Sequence, residues 1–182
     1  MVVLNVNAQK NKAVITFNDG RKVEGYGQLY GNKTVKFKKD KGSKSYKYHF
    51  SNIKEFEIIF TDHTEIYNYV KIEKQKNPKV LKKIVSGKVE LFIQTFKNHN
   101  TGDFFSNVPR INLGITTYYY LRKQSESEAF YLTSSQLISK SFKKGALLFF
   151  KDCPLLVEKI RKRNYEKNDI IDVVEFYNYY CK

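Results

Sequence analysis

Tryptophan is absent from this 182-residue chain, and proline (three), histidine (three), cysteine (two) and methionine (one) are scarce. The histidines and cysteines show no CxxC, HExxH or paired spacing, so neither a zinc centre nor a thioredoxin-like dithiol has its ligands. No apolar run approaches the ~18 residues that a bilayer-spanning helix requires, and the chain is not expected to span a membrane. There is no GxxxxGKS/T and no GxSxG, which removes the phosphate-cradling loop and the nucleophile elbow. Gly25-Tyr26-Gly27-Gln28-Leu29-Tyr30 has the outline of GxGxxG but ends in Tyr and leads into a strand, where a phosphate cradle would need a helix N-terminus. Acidic residues are also few: 18 Asp and Glu face 33 Lys and Arg, a formal net charge of +15.

Fourteen Tyr and fourteen Phe are the abundant feature, and aromatics favour half-buried pleated surfaces. Ala13 to Phe17 and Val23 to Tyr30 read as strands reversed by Asn18-Asp19-Gly20, a turn that needs positive φ. Thr34 to Lys38 and Tyr46 to Phe50 alternate apolar and basic residues with period two, so each should carry one wet and one packed face. Tyr46 and Tyr48, alternating with Lys47, are expected to point into the core. Further strands are expected at Phe56 to Phe60, Glu65 to Ile72, Lys88 to Phe96, Ile115 to Arg122 and Ala129 to Leu132. Val80 to Val85 suits either a strand or one or two helical turns, and His99 to Pro109 reads as a long loop.

From Ser134 the texture becomes helical. Leu137, Ile138, Phe142, Leu148 and Phe149 form an apolar stripe, with Ser134 or Ser135 as cap and Gly145 as a weak point. Pro154 to Arg161 predicts a second helix with Asp152 as cap, and Asp169 to Tyr177 a third. The fold class is therefore α+β: mainly antiparallel β, a meander or partly open barrel, followed by three C-terminal α-helices. The expected division is 1–9 as a leader-peptide remnant, 10–132 as a β-rich domain and 133–182 as a helical segment packed on it.

The positive charge is concentrated. Basic residues outnumber acidic ones 20 to 9 over residues 1–100 and 13 to 9 beyond. Lys33, Lys36, Lys38, Lys39, Lys41, Lys44 and Lys47 face only Asp40, a composition that attracts anionic polymers by counterion release. Lysine is a point charge and reads bases poorly, so no specific nucleic acid is expected. The plain alternative is a solvated lysine face. Glu55 with Glu57 and Glu126 with Glu128 place carboxylates at i,i+2, and nothing beside them raises a pKa for acid/base work. His49, His63 and His99 read as surface or turn residues, and no cofactor or metal is implied.

Met1 to Gln9 has the look of the end of a secretory leader, with Val6 and Ala8 at the small positions before a cut at Gln9; a short edge strand is the other reading. Cys153 opens one predicted helix and Cys181 closes another. If the two helices are antiparallel, their sulfurs meet, and a bridge would contribute about 3 to 4 kcal/mol. Two buried free thiols are the alternative.

Tyr119-Tyr120-Leu121-Arg122-Lys123, Phe142-Lys143-Lys144, Phe149 to Pro154, Leu156, Lys159-Ile160, Asp169-Ile170 and Tyr177-Asn178 to Cys181, with Ile15 to Gly25 and Gly87 to Leu91, resemble an uncharacterised family of exported Gram-negative envelope proteins. The Asp-Cys-Pro to terminal Cys arrangement is the most specific part. The resemblance implies export and a β-rich body and brings no catalytic residues; this chain departs from it in lacking a complete leader. The expectation is thus a periplasmic or secreted, non-enzymatic binding or structural module, with an envelope component or anionic polymer as partner. A cytoplasmic, nonspecific nucleic-acid binder using the lysine face is the alternative, and an enzyme built on loop residues such as His99 and Asp103 is a third.

Overall fold

A computed structural model describes residues 11–97, 114–136 and 141–181. The leader reading of Met1 to Gln9, the His99 to Pro109 loop with Asp103, and Leu137 and Ile138 lie outside the described residues. The described residues form ten strands: β1 (Asn11–Phe17), β2 (Lys22–Tyr30), β3 (Thr34–Lys38), β4 (Tyr46–His49), β5 (Ile53–Ile59), β6 (Thr64–Ile72), β7 (Lys79–Val85), β8 (Val89–Lys97), β9 (Ile115–Lys123) and β10 (Glu128–Ser134). Three helices follow, α1 (Phe142–Phe149), α2 (Pro154–Arg161) and α3 (Ile170–Tyr180). The fold is α+β, as expected. Among the described residues no helix is long and apolar enough to cross a membrane.

The strands are hydrogen-bonded in the order β10-β9-β8-β7-β6-β5-β1-β2-β3-β4. One parallel pairing, Glu128 with Lys71 and Ala129 with Ile72, joins β10 to the end of β6. The chain divides into two compact units, one comprising the described residues up to Val70 with Pro78–Lys82, the other Lys71–Asn77 with the described residues from Lys83 onward. Val80 to Val85, which periodicity left open, is strand.

The first unit is built by period-two burial. Ala13 and Ile15 of β1, Val35 and Phe37 of β3, and Ile53, Phe56 and Ile58 of β5 form its core with Phe50. At Gly20, φ is +87°, the left-handed turn conformation that glycine adopts without strain. Inside β2, Gly25 and Gly27 lie against Phe37, Phe56 and the Lys38 carbonyl, and a Cβ at either position would strike them. The GxGxxG outline is thus a packing device for a strand.

In the second unit Val89, Leu91, Leu121 and Leu132 from the strands pack against Phe142, Ala146, Phe149, Phe150, Leu156, Ile160, Val173, Val174 and Tyr177. The cap of α1 is Ser141, whose Oγ accepts from Lys144 N at 3.5 Å. Ser134 is instead the buried last residue of β10, and Ser135 Oγ, just past the strand, accepts from Thr117 N, so the serines expected to start a helix end a strand. Leu148 is exposed while Phe142, Ala146 and Phe149 are buried, because the helical stripe runs through i, i+4 and i+7 from Phe142. Asp152 does not cap α2. The cap position is Cys153, without a side-chain hydrogen bond, and Asp152 turns toward Lys123 and Tyr177.

A lysine and tyrosine face on β2, β3 and β4

With Val23, Gly25, Gly27 and Leu29 on its inward side, β2 presents Tyr26, Gln28 and Tyr30 outward. Register places Lys38 opposite Tyr26, Lys36 opposite Gln28 and Thr34 opposite Tyr30; on the next strand Lys47 lies opposite Lys36. Paired residues share a face, so Lys36, Lys38 and Lys47 stand beside two tyrosines. Lys47 Nζ lies 4.5 Å and Lys36 Nζ 6.0 Å from the Tyr30 ring centroid, and Lys41 Nζ 5.8 Å from that of Tyr26. Lys38 Nζ donates to the Lys41 carbonyl, tying the loop after β3 to the face.

The seven lysines named from composition therefore separate. Lys36, Lys38, Lys41 and Lys47 gather around Tyr26 and Tyr30, while Lys33, Lys39 and Lys44 are exposed in the flanking turns. The carboxylate of this stretch, Asp40, accepts from Ser43 Oγ within its own loop at 3.4 Å. Lys12 of β1, opposite Tyr26, extends the basic zone. Val14 of β1 has Glu24 of β2 on one side and Glu57 of β5 on the other, so the same face turns acidic at the Lys22 end of β2 and on β5.

Of the two tyrosines expected in the core, one is packed there and one is not. Tyr48 packs edge-on against Phe17 and Phe37, on the core side. Tyr46, expected in the core, is 56% exposed. It lies opposite Phe37 at the start of a four-residue strand that ends the sheet, where no further strand among the described residues covers it. Alternation along β2 is the sequence signal that sets Tyr26 and Tyr30 on one face.

The histidines serve local structure. His49 Nδ1 accepts from Ser51 N at 3.1 Å, capping a 3-10 turn over Phe50–Asn52. His63 stacks on Phe60 at 4.7 Å and reaches Asp62 at 2.8 Å through Nδ1. His99 lies outside the described residues. Beside His63 is a half-buried cluster unseen in the sequence: Glu65 accepts from Tyr67 Oη at 2.6 Å and pairs with Lys82 at 2.5 Å. Burial by itself would raise the Glu65 pKa, but hydrogen bonds from Lys82 and Tyr67 outweigh it and hold the carboxyl below its usual value. Burial, then the bond to Glu65, pushes the Tyr67 phenol up. Both groups are held in their resting forms, the opposite of what proton transfer requires. Glu55 and Glu57 share an outward strand face as expected. Glu126 lies in the turn before β10, so it does not pair with Glu128, which meets Lys71 at 2.6 Å.

Cys153 and Cys181 are at disulfide distance, the sulfurs 2.05 Å and the Cα atoms 5.7 Å apart, and both residues are buried. Their neighbours in the sequence complete a clasp. Asp152 Oδ2 accepts from Tyr177 Oη at 2.8 Å and from Lys123 Nζ at 2.6 Å. Asn178 bonds both backbone groups of Val89, and Lys88 Nζ donates to the Cys181 carbonyl at 2.5 Å. The Asp-Cys-Pro and Tyr-Asn to Cys residues are accordingly used in fastening α2 and α3 to the sheet.

Fold and face together define an α+β protein with a basic, tyrosine-lined sheet face. Compared with models of protein families, with curated proteins and with solved structures, the chain matches none.

Proposed function

We propose that this chain is a non-enzymatic binding module, exported to the cell envelope, that holds an anionic polymer on the outward face of β2, β3 and β4. The observation that carries the reading is the convergence of Lys36 and Lys47 on one ring, Tyr30. Two ammonium groups brought together on the sheet raise the local potential, and the stretch from Lys33 to Lys47 sets seven lysines against a single carboxylate, Asp40. Export is supported by the buried cysteine pair, because such pairs persist in oxidising compartments.

Salt-titrated binding to a labelled anionic polymer tests the first part: the logarithm of affinity should fall linearly with the logarithm of salt concentration. Absence of binding at low salt by folded protein overturns it. Alkylation of protein taken from its native cells, followed by mass measurement, tests the second; two alkylated cysteines would overturn it. The rival reading, a cytoplasmic nonspecific nucleic-acid binder, draws on the same lysines and on the tyrosines set among them, an arrangement also used for single strands.

A further inference from the structure

Taking the β2, β3 and β4 face as a polyanion site, we infer that its ligand is an acidic glycan, held by charge and by hydroxyl contacts instead of by stacking. A tyrosine on which a nucleobase stacks must offer its ring face. Here ammonium groups already stand over both rings, Lys47 and Lys36 over Tyr30 at 4.5 and 6.0 Å and Lys41 over Tyr26 at 5.8 Å. The rings collect cations, and a base seated on them would have to displace those cations. The basic groups are lysines throughout, without the planar guanidinium that stacks on bases or grips them with two bonds.

Between the charges the face offers neutral hydrogen-bonding groups. Gln28 lies on the same strand face between Tyr26 and Tyr30, opposite Lys36, and Thr34 lies opposite Tyr30. An amide and a hydroxyl each donate and accept, as a sugar hydroxyl requires. Along β3, Lys36 and Lys38 are two residues apart, about 7 Å at the strand rise, so acidic groups recurring at about that interval would meet successive ammoniums. Glu57, across β1 on β5, bounds the zone on that side, and Glu24, on β2 two residues before Tyr26, bounds it at the Lys22 end of the strand.

Fluorescence polarisation on the full chain with three labelled probes tests this: a heparin decasaccharide, a neutral dextran of equal length, and an oligodeoxythymidylate matched in charge. The decasaccharide should bind about tenfold tighter than the oligonucleotide at 0.15 M salt, and dextran should not bind, since charge remains the main attraction. Lys36→Gln with Lys47→Gln should weaken decasaccharide binding by about tenfold or more, each lysine removing about one unit of salt slope. Gln28→Ala should weaken it by a few-fold with the salt slope unchanged, a result that charge alone does not produce. Circular dichroism checks that each variant is folded. Oligonucleotide binding as tight as the decasaccharide, with quenching of tyrosine fluorescence, would overturn the glycan assignment and leave the polyanion site standing. If folded protein bound neither charged probe, the polyanion reading would fall with it.

Discussion

Asn178 meets Val89 as a neighbouring strand would: its Nδ2 donates to the Val89 carbonyl at 2.9 Å and its Oδ1 accepts from Val89 N at 2.8 Å. A helix side chain thereby supplies backbone pairing at the start of β8. Gly87, with φ +154°, makes room, since a Cβ there would collide with the Asn178 amide.

Removing that amide leaves two part-buried backbone groups unpaired, and Asn178→Ala should cost about 1–3 kcal/mol. Urea unfolding followed by circular dichroism measures it. A loss within about 0.5 kcal/mol, the range of ordinary surface changes, would show that water replaces the amide.

Cys153 and Cys181 are 28 residues apart, and the cross-link they can form restricts the unfolded chain by about 3 to 4 kcal/mol in the chain-entropy model. Reduction, or replacement of both by Ser, should lower the urea midpoint by a corresponding amount. Unchanged unfolding in reductant would mean that the clasp is held by Asp152, Tyr177 and Asn178 alone.

Burial alone would raise the Asp152 pKa, but hydrogen bonds from Lys123 and Tyr177 hold it below its usual 3.8. Its contribution to stability is therefore complete above that value and is lost as pH falls through the lower, folded value. Asp152→Asn should be less stable than the parent at pH 7 and should lose less stability on acidification toward pH 2, measured by urea midpoints across that range. Parallel pH curves for the two proteins would contradict the assignment. The partner phenol shifts the other way: burial, then the bond to Asp152, pushes Tyr177 up to about 12, so that part is kept to pH 10 and lost between 10 and 12.

Gly145 sets two effects against each other. Helix propensity favours alanine there by about 1 kcal/mol. A Cβ would, however, sit 3.1 Å from both the carbonyl oxygen and Cδ1 of Leu132, and backbone cannot move aside cheaply. Overpacking of about 1–3 kcal/mol should win, making Gly145→Ala destabilising in thermal unfolding. A stabilised variant would show that α1 can lift from β10.

Lys47→Ala should reduce the salt slope of polyanion binding by about 1, and Lys162→Ala, at the C-terminal cap of α2 and paired with Glu158, should leave it unchanged. Equal effects would mean that affinity follows net charge and not the face.

Strand alternation made Ile15, Val35, Phe37 and Phe56 readable as core, and the terminal cysteines readable as a pair at the two ends of a helical hairpin. The cap of α1 was misplaced because Ser134 and Ser135 satisfy either a cap or a strand end, and only pairing of β10 with β9 selects the second. Tyr46 was misjudged because period two states which side a residue faces and not whether anything covers that side.

Composition and local pattern by themselves determined the charge, most of the strands, the chirality of the Gly20 turn and the presence of the C-terminal helices, since each depends on neighbours within a few residues. Tertiary structure decided what those elements bring together: Tyr30 with Lys47 from two strands away, and Asn178 with Val89 across 89 positions. Such meetings depend on register and strand order, which many residues set jointly and no short stretch of sequence encodes.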